Sequence, residues 1–188
     1  YFYPIGNHTD TVEDFRKQYF GENAEKNIWG NVNRNQTRKD IPSTIFAFQK
    51  YKEMYDPGAF LYLHMTATDP QGWNLHTVLK QTALREGVDY MFQKKESRDV
   101  SKSELNLIYN CLDFYLTTTT GEGWGLSITE AMACRVPVLA PYHTSIIDIS
   151  GGKNKRCWTT EDLRLYVSHF DNMVREGVDY NTLPVLMN

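Results

Sequence analysis

Apolar positions along this chain fall in two alternating rhythms. Asp10 to Phe20 reads as a short helix with an acidic first turn, closed by Gly21. Ile28 to Val32 is strand-like, and Asp40 to Met54 has the spacing of an amphipathic helix with a proline near its start. Pro57-Gly58 stops that helix, and Ala59 to Met65 is a run suited to a buried strand. A helix over Asn74 to Glu86 closing on Gly87 and a strand over Val88 to Phe92 come next. Ser101 and Glu104 form a capping box that opens a helix to about Asn110. A strand over Asp113 to Thr118, a glycine-rich loop, a helix near Leu126 to Cys134 and a strand over Pro137 to Ala140 follow. Leu163, Tyr166, Val167, Phe170 and Val174 keep helical spacing late in the chain. Strands separated by helices imply crossover connections and a parallel sheet. The expected fold is a single α/β, Rossmann-like domain over residues 1–188, a parallel sheet flanked by helices.

Composition narrows this little. The 188 residues are 41% hydrophobic and 23% charged, ordinary for a globular domain with a substantial core. A formal charge of -3 leaves no polybasic surface, so nucleic acid is not expected as a partner. Cys111, Cys134 and Cys157 show no metal-ligand spacing, and the first two lie in apolar segments. They read as small buried hydrophobes of a reducing compartment, giving an expected cytoplasmic location, with peripheral docking at a membrane surface left open. No run approaches the length of a membrane span. The opening YFYPIG, without a Met, reads as the start of a piece of something longer. Of two N-x-T sequons, at Asn7 and Asn35, the second lies in a loop with candidate chemistry, where a glycan would block it.

That chemistry is expected at the carboxyl ends of the strands, where open parallel sheets bind ligands. Three loops qualify: Gly30 to Asp40, His64 to Trp73 and Thr117 to Gly125. In the third, TTGEGWGLSITEAMAC from Thr119 places Gly123 and Gly125 where backbone could approach a ligand, before a helix whose first N–H groups favour a phosphate. Glu122 stands at the loop tip, and Glu130, a turn into the helix, could accept the two hydroxyl protons of a ribose diol. A glycine-rich turn with two solvated glutamates explains the same letters about as well. In the first loop Arg34 and Lys39, with Arg38 beside the latter, would suit a diphosphate. Cations at a helix start are unfavourable unless an anion sits between them and the dipole. His64 reads as the end of a core strand. Trp73 and Trp124 line a site or, by default, pack in the core. No Asp-x-Asp pair, Walker loop or nucleophile elbow is present.

Loops and element order together resemble the C-terminal, donor-binding domain of retaining glycosyltransferases built from two Rossmann-like halves (GT-B), the glycogen-synthase-like and family 4 group. EGWGLSITEAMACRVPV, from Glu122 to Val138, is similar to the family's EGFGLxxxEAMAxGxPV. NRNQTRKD, from Asn33 to Asp40, resembles its GRxxxxKG, and the segment from Val100 to Asp113 resembles the one that places a nucleotide base. Pro4 to Asp10 looks like the turn by which the chain enters this domain, so residues 1–12 are expected to lead in from an absent N-terminal half. The match fades beyond residue 150, leaving 153–188 as a weakly matched helical part.

The resemblance implies transfer of a hexosyl group from a UDP-, GDP- or ADP-sugar to a sugar, lipid or protein-glycan acceptor, with retention of configuration and no metal or other cofactor. Arg34 and Lys39 would neutralise the diphosphate as the sugar–phosphate bond breaks, and Glu122 would sit near the sugar. Glu130 would hold the ribose, Asn33, Gly123, Trp124, Gly125 and Leu126 would line the donor, and the backbone near Val100 would meet the base. The acceptor would bind the absent half, without which the fragment is expected to be inactive. Asn33, Asp40 and Arg135 stand where the family has glycine; Asp40 is still expected to cap its helix. A non-catalytic module and a nucleotide-sugar epimerase remain alternatives.

Overall fold

A computed structural model describes residues 2–5, 10–94, 100–141 and 143–149. The late helical spacing around Phe170, Cys157 and the Asn7 sequon lie outside them. In chain order the elements are α1 (Asp10–Phe20), β1 (Ile28–Val32), α2 (Ile41–Met54), β2 (Phe60–His64), α3 (Leu75–Leu79), β3 (Tyr90–Phe92), α4 (Lys102–Asn110), β4 (Phe114–Leu116), α5 (Leu126–Ala133), β5 (Val138–Leu139) and α6 (Ser145–Ile149).

The strands form one parallel sheet in the order β3-β2-β1-β4-β5. Alternate residues of the central strands feed two cores, which is why β1 and β2 are buried throughout. Ile28, Val32, Phe60, Tyr62 and Tyr115 pack with Val12, Ile108, Tyr109, Ile128 and Ile146 on the face carrying α1, α4, α5 and α6. Trp29, Leu61 and Leu63 pack with Ile41, Ile45, Phe48, Leu75 and Leu79 of α2 and α3 on the other. Phe48 is 1% exposed, so truncating it to Ala would remove about 3–5 kcal/mol. Strand order reverses between β1 and β4, and the loops leaving the two strands lie where such sheets bind ligands.

The boundaries differ from the sequence reading most at α3, which stops after five residues. Its start is conventional, with Asn74 Oδ1 accepting from the Thr77 N–H. Beyond Lys80, the buried carboxylate of Asp89 accepts from both Arg85 N and Arg85 Nε at 2.9 Å, and Gly87 turns with φ +77°. Satisfying that carboxylate draws 85–89 into a turn that a continued helix would forbid. The Ser101 cap formed as expected, its hydroxyl accepting from the Glu104 N–H at 3.1 Å.

Cys111 and Cys134 are buried free thiols, their pKa values pushed up by burial to about 12 and about 11. His64 ends β2, buried, with Nδ1 2.6 Å from the Tyr62 hydroxyl, and burial drives its pKa down to about 4.

Candidate functional site

The loop after β1 (33–40) and the loop after β4 (117–125) are stitched together by the threonine run. Thr118 Oγ1 donates to Asp40 O at 2.6 Å, and Thr120 N donates to Arg38 O at 2.8 Å. Thr119 and Thr120 hydroxyls reach the same Arg38 carbonyl at 3.3 and 3.0 Å. Asn33, buttressed by Tyr115 OH at 3.1 Å, accepts from Ser127 Oγ of α5 at 3.2 Å.

This stitching brings three charges together. The Glu122 side chain, 6% exposed, meets Lys39 Nζ through one oxygen and Arg38 Nη1 through the other, the latter at 3.1 Å. Burial lowers the Lys39 pKa more than Glu122 raises it, with Arg38 adding repulsion. Burial pushes Glu122 upward, but the hydrogen bonds and charge of Lys39, with help from Thr119 and Arg38, leave its pKa below the ordinary value. Among the described residues Glu122 is the only acceptor of the Lys39 ammonium, which carries three donors.

Arg34, expected beside Lys39, answers a different carboxylate. Its Nε and Nη2 donate to Asp69 of the loop after β2 at 2.8 and 3.3 Å, with most of the guanidinium in solvent. The structure therefore places Arg38, not Arg34, with Lys39, because the one-turn 3-10 helix at Thr37–Lys39 turns 38 and 39 toward Glu122. Glu130 lies a turn inside α5, and its Oε2 accepts from Tyr109 OH at 2.8 Å. Burial raises its pKa against that hydrogen bond and the charge of Lys102. Val100 is half-buried, leaning on the core beside α4.

Gly125 precedes α5 with φ +80°, and a Cβ there would press Ile149 Cδ1 at 3.2 Å. Its identity is thus explained by backbone and packing, whereas a Cβ on Gly123 would meet nothing within 4 Å. Trp124 and Leu126, in and just after the loop that follows β4, stand 61% and 68% exposed, and Trp73 is 38% exposed, so neither tryptophan is the core residue its type suggested. Asp40 does not cap α2 with its side chain. It sits at φ +46° and serves through its carbonyl, which accepts from Ser43 N at 3.1 Å. Arg135, at φ +62°, likewise holds a left-handed turn where the resembled motif has glycine. Asn35, 1% exposed, gives its amide to Trp73 O at 2.7 Å, so this sequon is a buried loop-to-loop brace with no room for a glycan.

Asp69, Tyr109, Thr144 and Ser145 were not singled out by sequence. The Asp-Pro turn was a weak signal for the first; the others gave none. Among the described residues no group of three or more His, Cys, Asp or Glu side chains is placed to hold a metal ion. No described helix is long and apolar enough to cross a membrane.

Residues 12–155 match the profile of the family described as glycosyl transferases group 1. A trehalose synthase of Pyrococcus horikoshii is 32% identical over 123 residues, 64% of this chain but 29% of that protein's length. The C-terminal domain of a glycosyl transferase group 1 family protein from Francisella tularensis superposes with a TM-score of 0.63 at 20% identity, covering 93% of this chain and 85% of that domain. A structure of Anabaena HepE in complex with UDP and glucose gives 0.57 at 18% identity, over 76% of this chain and 36% of that one. At these identities the solved structures bear on the fold alone.

Proposed function

Because the chain belongs to the glycosyl transferases group 1 family, we propose that it is the donor-binding part of a retaining, metal-independent hexosyltransferase using a nucleotide-diphosphate sugar. The observation that carries this reading is Lys39. A buried ammonium at the topological switch point, with one acceptor among the described residues for its three donors, is arranged to receive an anion. Arg34, near the start of the same loop, is exposed enough to swing from Asp69 onto a second phosphate. Charge accumulates on the diphosphate as the sugar–phosphate bond breaks, so cations fixed there lower the barrier to cleavage.

Glu122 would face the sugar with Gly123 alongside, and Trp124 and Leu126 would present apolar surface to its ring. Glu130, whose carboxylate is oriented by Tyr109, would accept from the ribose hydroxyls. Val100 would lie near the base. Anabaena HepE, a protein of the same fold, has been solved with UDP and glucose, a ligand pair of the class proposed here. The chain spans under a third of the matched trehalose synthase. Acceptor binding, to a glycan or a lipid, is therefore assigned to other parts of the enzyme, placed in the cytoplasm or at a membrane surface.

A panel of UDP-, GDP- and ADP-sugars tests the reading by thermal shift and by nucleotide release. The expected result is stabilisation by one base class and release that requires an acceptor or water. Isomerisation of the sugar without release would instead identify an epimerase. No shift with any of them would contradict donor binding.

A further inference from the structure

Where the β5–α6 loop enters α6 the chain touches Glu122 twice. The Glu122 N–H donates to Thr144 Oγ1 at 3.2 Å, and Ser145 Oγ donates to the Glu122 carbonyl at 3.0 Å. Both polar ends of this one residue's backbone are thus gripped by adjacent hydroxyls at the start of α6. His143 extends the brace: Nε2 lies 2.9 Å from Thr119 O, and Nδ1 lies 3.2 Å from Thr144 Oγ1. A carbonyl only accepts, so Nε2 carries the proton.

The grip comes with backbone strain. Thr144 has φ +50°, a left-handed conformation that a β-branched residue rarely adopts. Strain of this kind persists only where surrounding bonds over-determine it, and it gathers at functional sites. Elsewhere the loop is tied to Arg38 and Asp40 through Thr118, Thr119, Thr120 and Gly121, but among the described residues the Glu122 peptide itself is held by Thr144 and Ser145. Gly121 and Gly123 flank it, and neither would bring a Cβ within van der Waals contact closer than 3.9 Å.

We propose that Thr144 and Ser145 are positioning residues for Glu122, holding its peptide at both ends so that the carboxylate meets Lys39 and Arg38. The inference rests on the reading of Glu122 as the group beside the sugar, and it names what aims it. A side chain of two glycine neighbours would otherwise wander, and misplacement by about 1 Å can lower turnover a hundredfold.

The test uses Thr144→Gly/Ser145→Ala, with Thr144→Ser as the conservative control and circular dichroism to establish folding. Glycine accepts a positive φ, so the double variant is expected to fold. The direct readout is the titration of the Glu122 carboxyl followed by carbon-13 NMR. Its midpoint should rise toward the ordinary glutamate value in the double variant, and Thr144→Ser should recover the wild-type midpoint. In the enzyme carrying this chain, nucleotide-sugar hydrolysis should show kcat lowered roughly tenfold to a hundredfold, with KM changed far less because Lys39 and Arg34 are untouched. If the double variant is unfolded, Ser145→Ala alone decides by the same midpoint. An unmoved Glu122 midpoint in a folded variant would overturn the proposal. If the wild type turned over no nucleotide sugar, the functional reading would fail while the titration still judged the brace.

Discussion

Two carboxylates at opposite edges of the same sheet each lie between two cations, yet only one cluster is complete. At the amino end of β3, Asp89 is held by Arg85 and by Lys52 Nζ at 3.2 Å. Lys52 also donates to Pro57 O and to Ala59 O, so all three of its protons are committed. At the carboxyl edge, Lys39 is comparably buried but has Glu122 alone among the described residues. A closed cluster supplies stability, whereas one with donors in reserve, on loops around a crevice, can take a ligand.

The largest expected effect is on the closed cluster. Asp89→Ala leaves Lys52 without its counter-ion and should lower unfolding free energy by about 3 kcal/mol, read from urea denaturation, with nucleoside diphosphate affinity unchanged. Weakened binding with intact stability would erase the distinction between the two edges.

Protonation probes the same contact more gently. Burial pushes the Asp89 pKa up, but hydrogen bonds from Arg85 and Lys52 outweigh it and hold it at about 2. A depressed folded-state pKa means the stabilisation is present above the unfolded value near 4 and is lost as pH falls toward 2. The gap between wild type and Asp89→Asn should therefore shrink by about 2.5 kcal/mol across that window. A gap that stays constant would show that Asp89 is not held by charge.

The open edge is sharpened by releasing Arg34. Asp69→Asn should raise nucleoside diphosphate affinity roughly threefold, more at low salt, measured by calorimetry. A fall would mean that Asp69 orients Arg34 instead of competing for it. Of similar small size is Arg135→Gly, away from both clusters. It relieves a positive φ while adding unfolded-chain entropy, for a net gain of about 0.5–1 kcal/mol in thermal unfolding.

The sheet was readable because both its cores are written as apolar runs separated by helical spacing. Ser101 announced its helix for the same local reason. The shortening of α3 was not readable, since it follows from Asp89 finding partners in a turn and not from any propensity of 80–86. Around the crevice, Glu122, Lys39 and the glycines stood out by residue type and motif. Their pairing did not. Whether Arg34 or Arg38 shares a carboxylate with Lys39 depends on one turn of 3-10 helix and on Asp69, thirty-five positions from Arg34. Thr144 and Ser145 are ordinary letters, made notable only by a left-handed φ and a neighbouring loop.

The central claim, that the incomplete cluster at the carboxyl edge receives the diphosphate of a nucleotide sugar, is tested most directly by calorimetric titration of UDP, GDP and ADP. Wild type and Lys39→Ala are compared at one salt concentration. The prediction is binding of at least one of the three by the wild type, weakened about a hundredfold in Lys39→Ala, as expected for loss of a charge-assisted contact of about 2.7 kcal/mol. Equal affinity of the two proteins would contradict it.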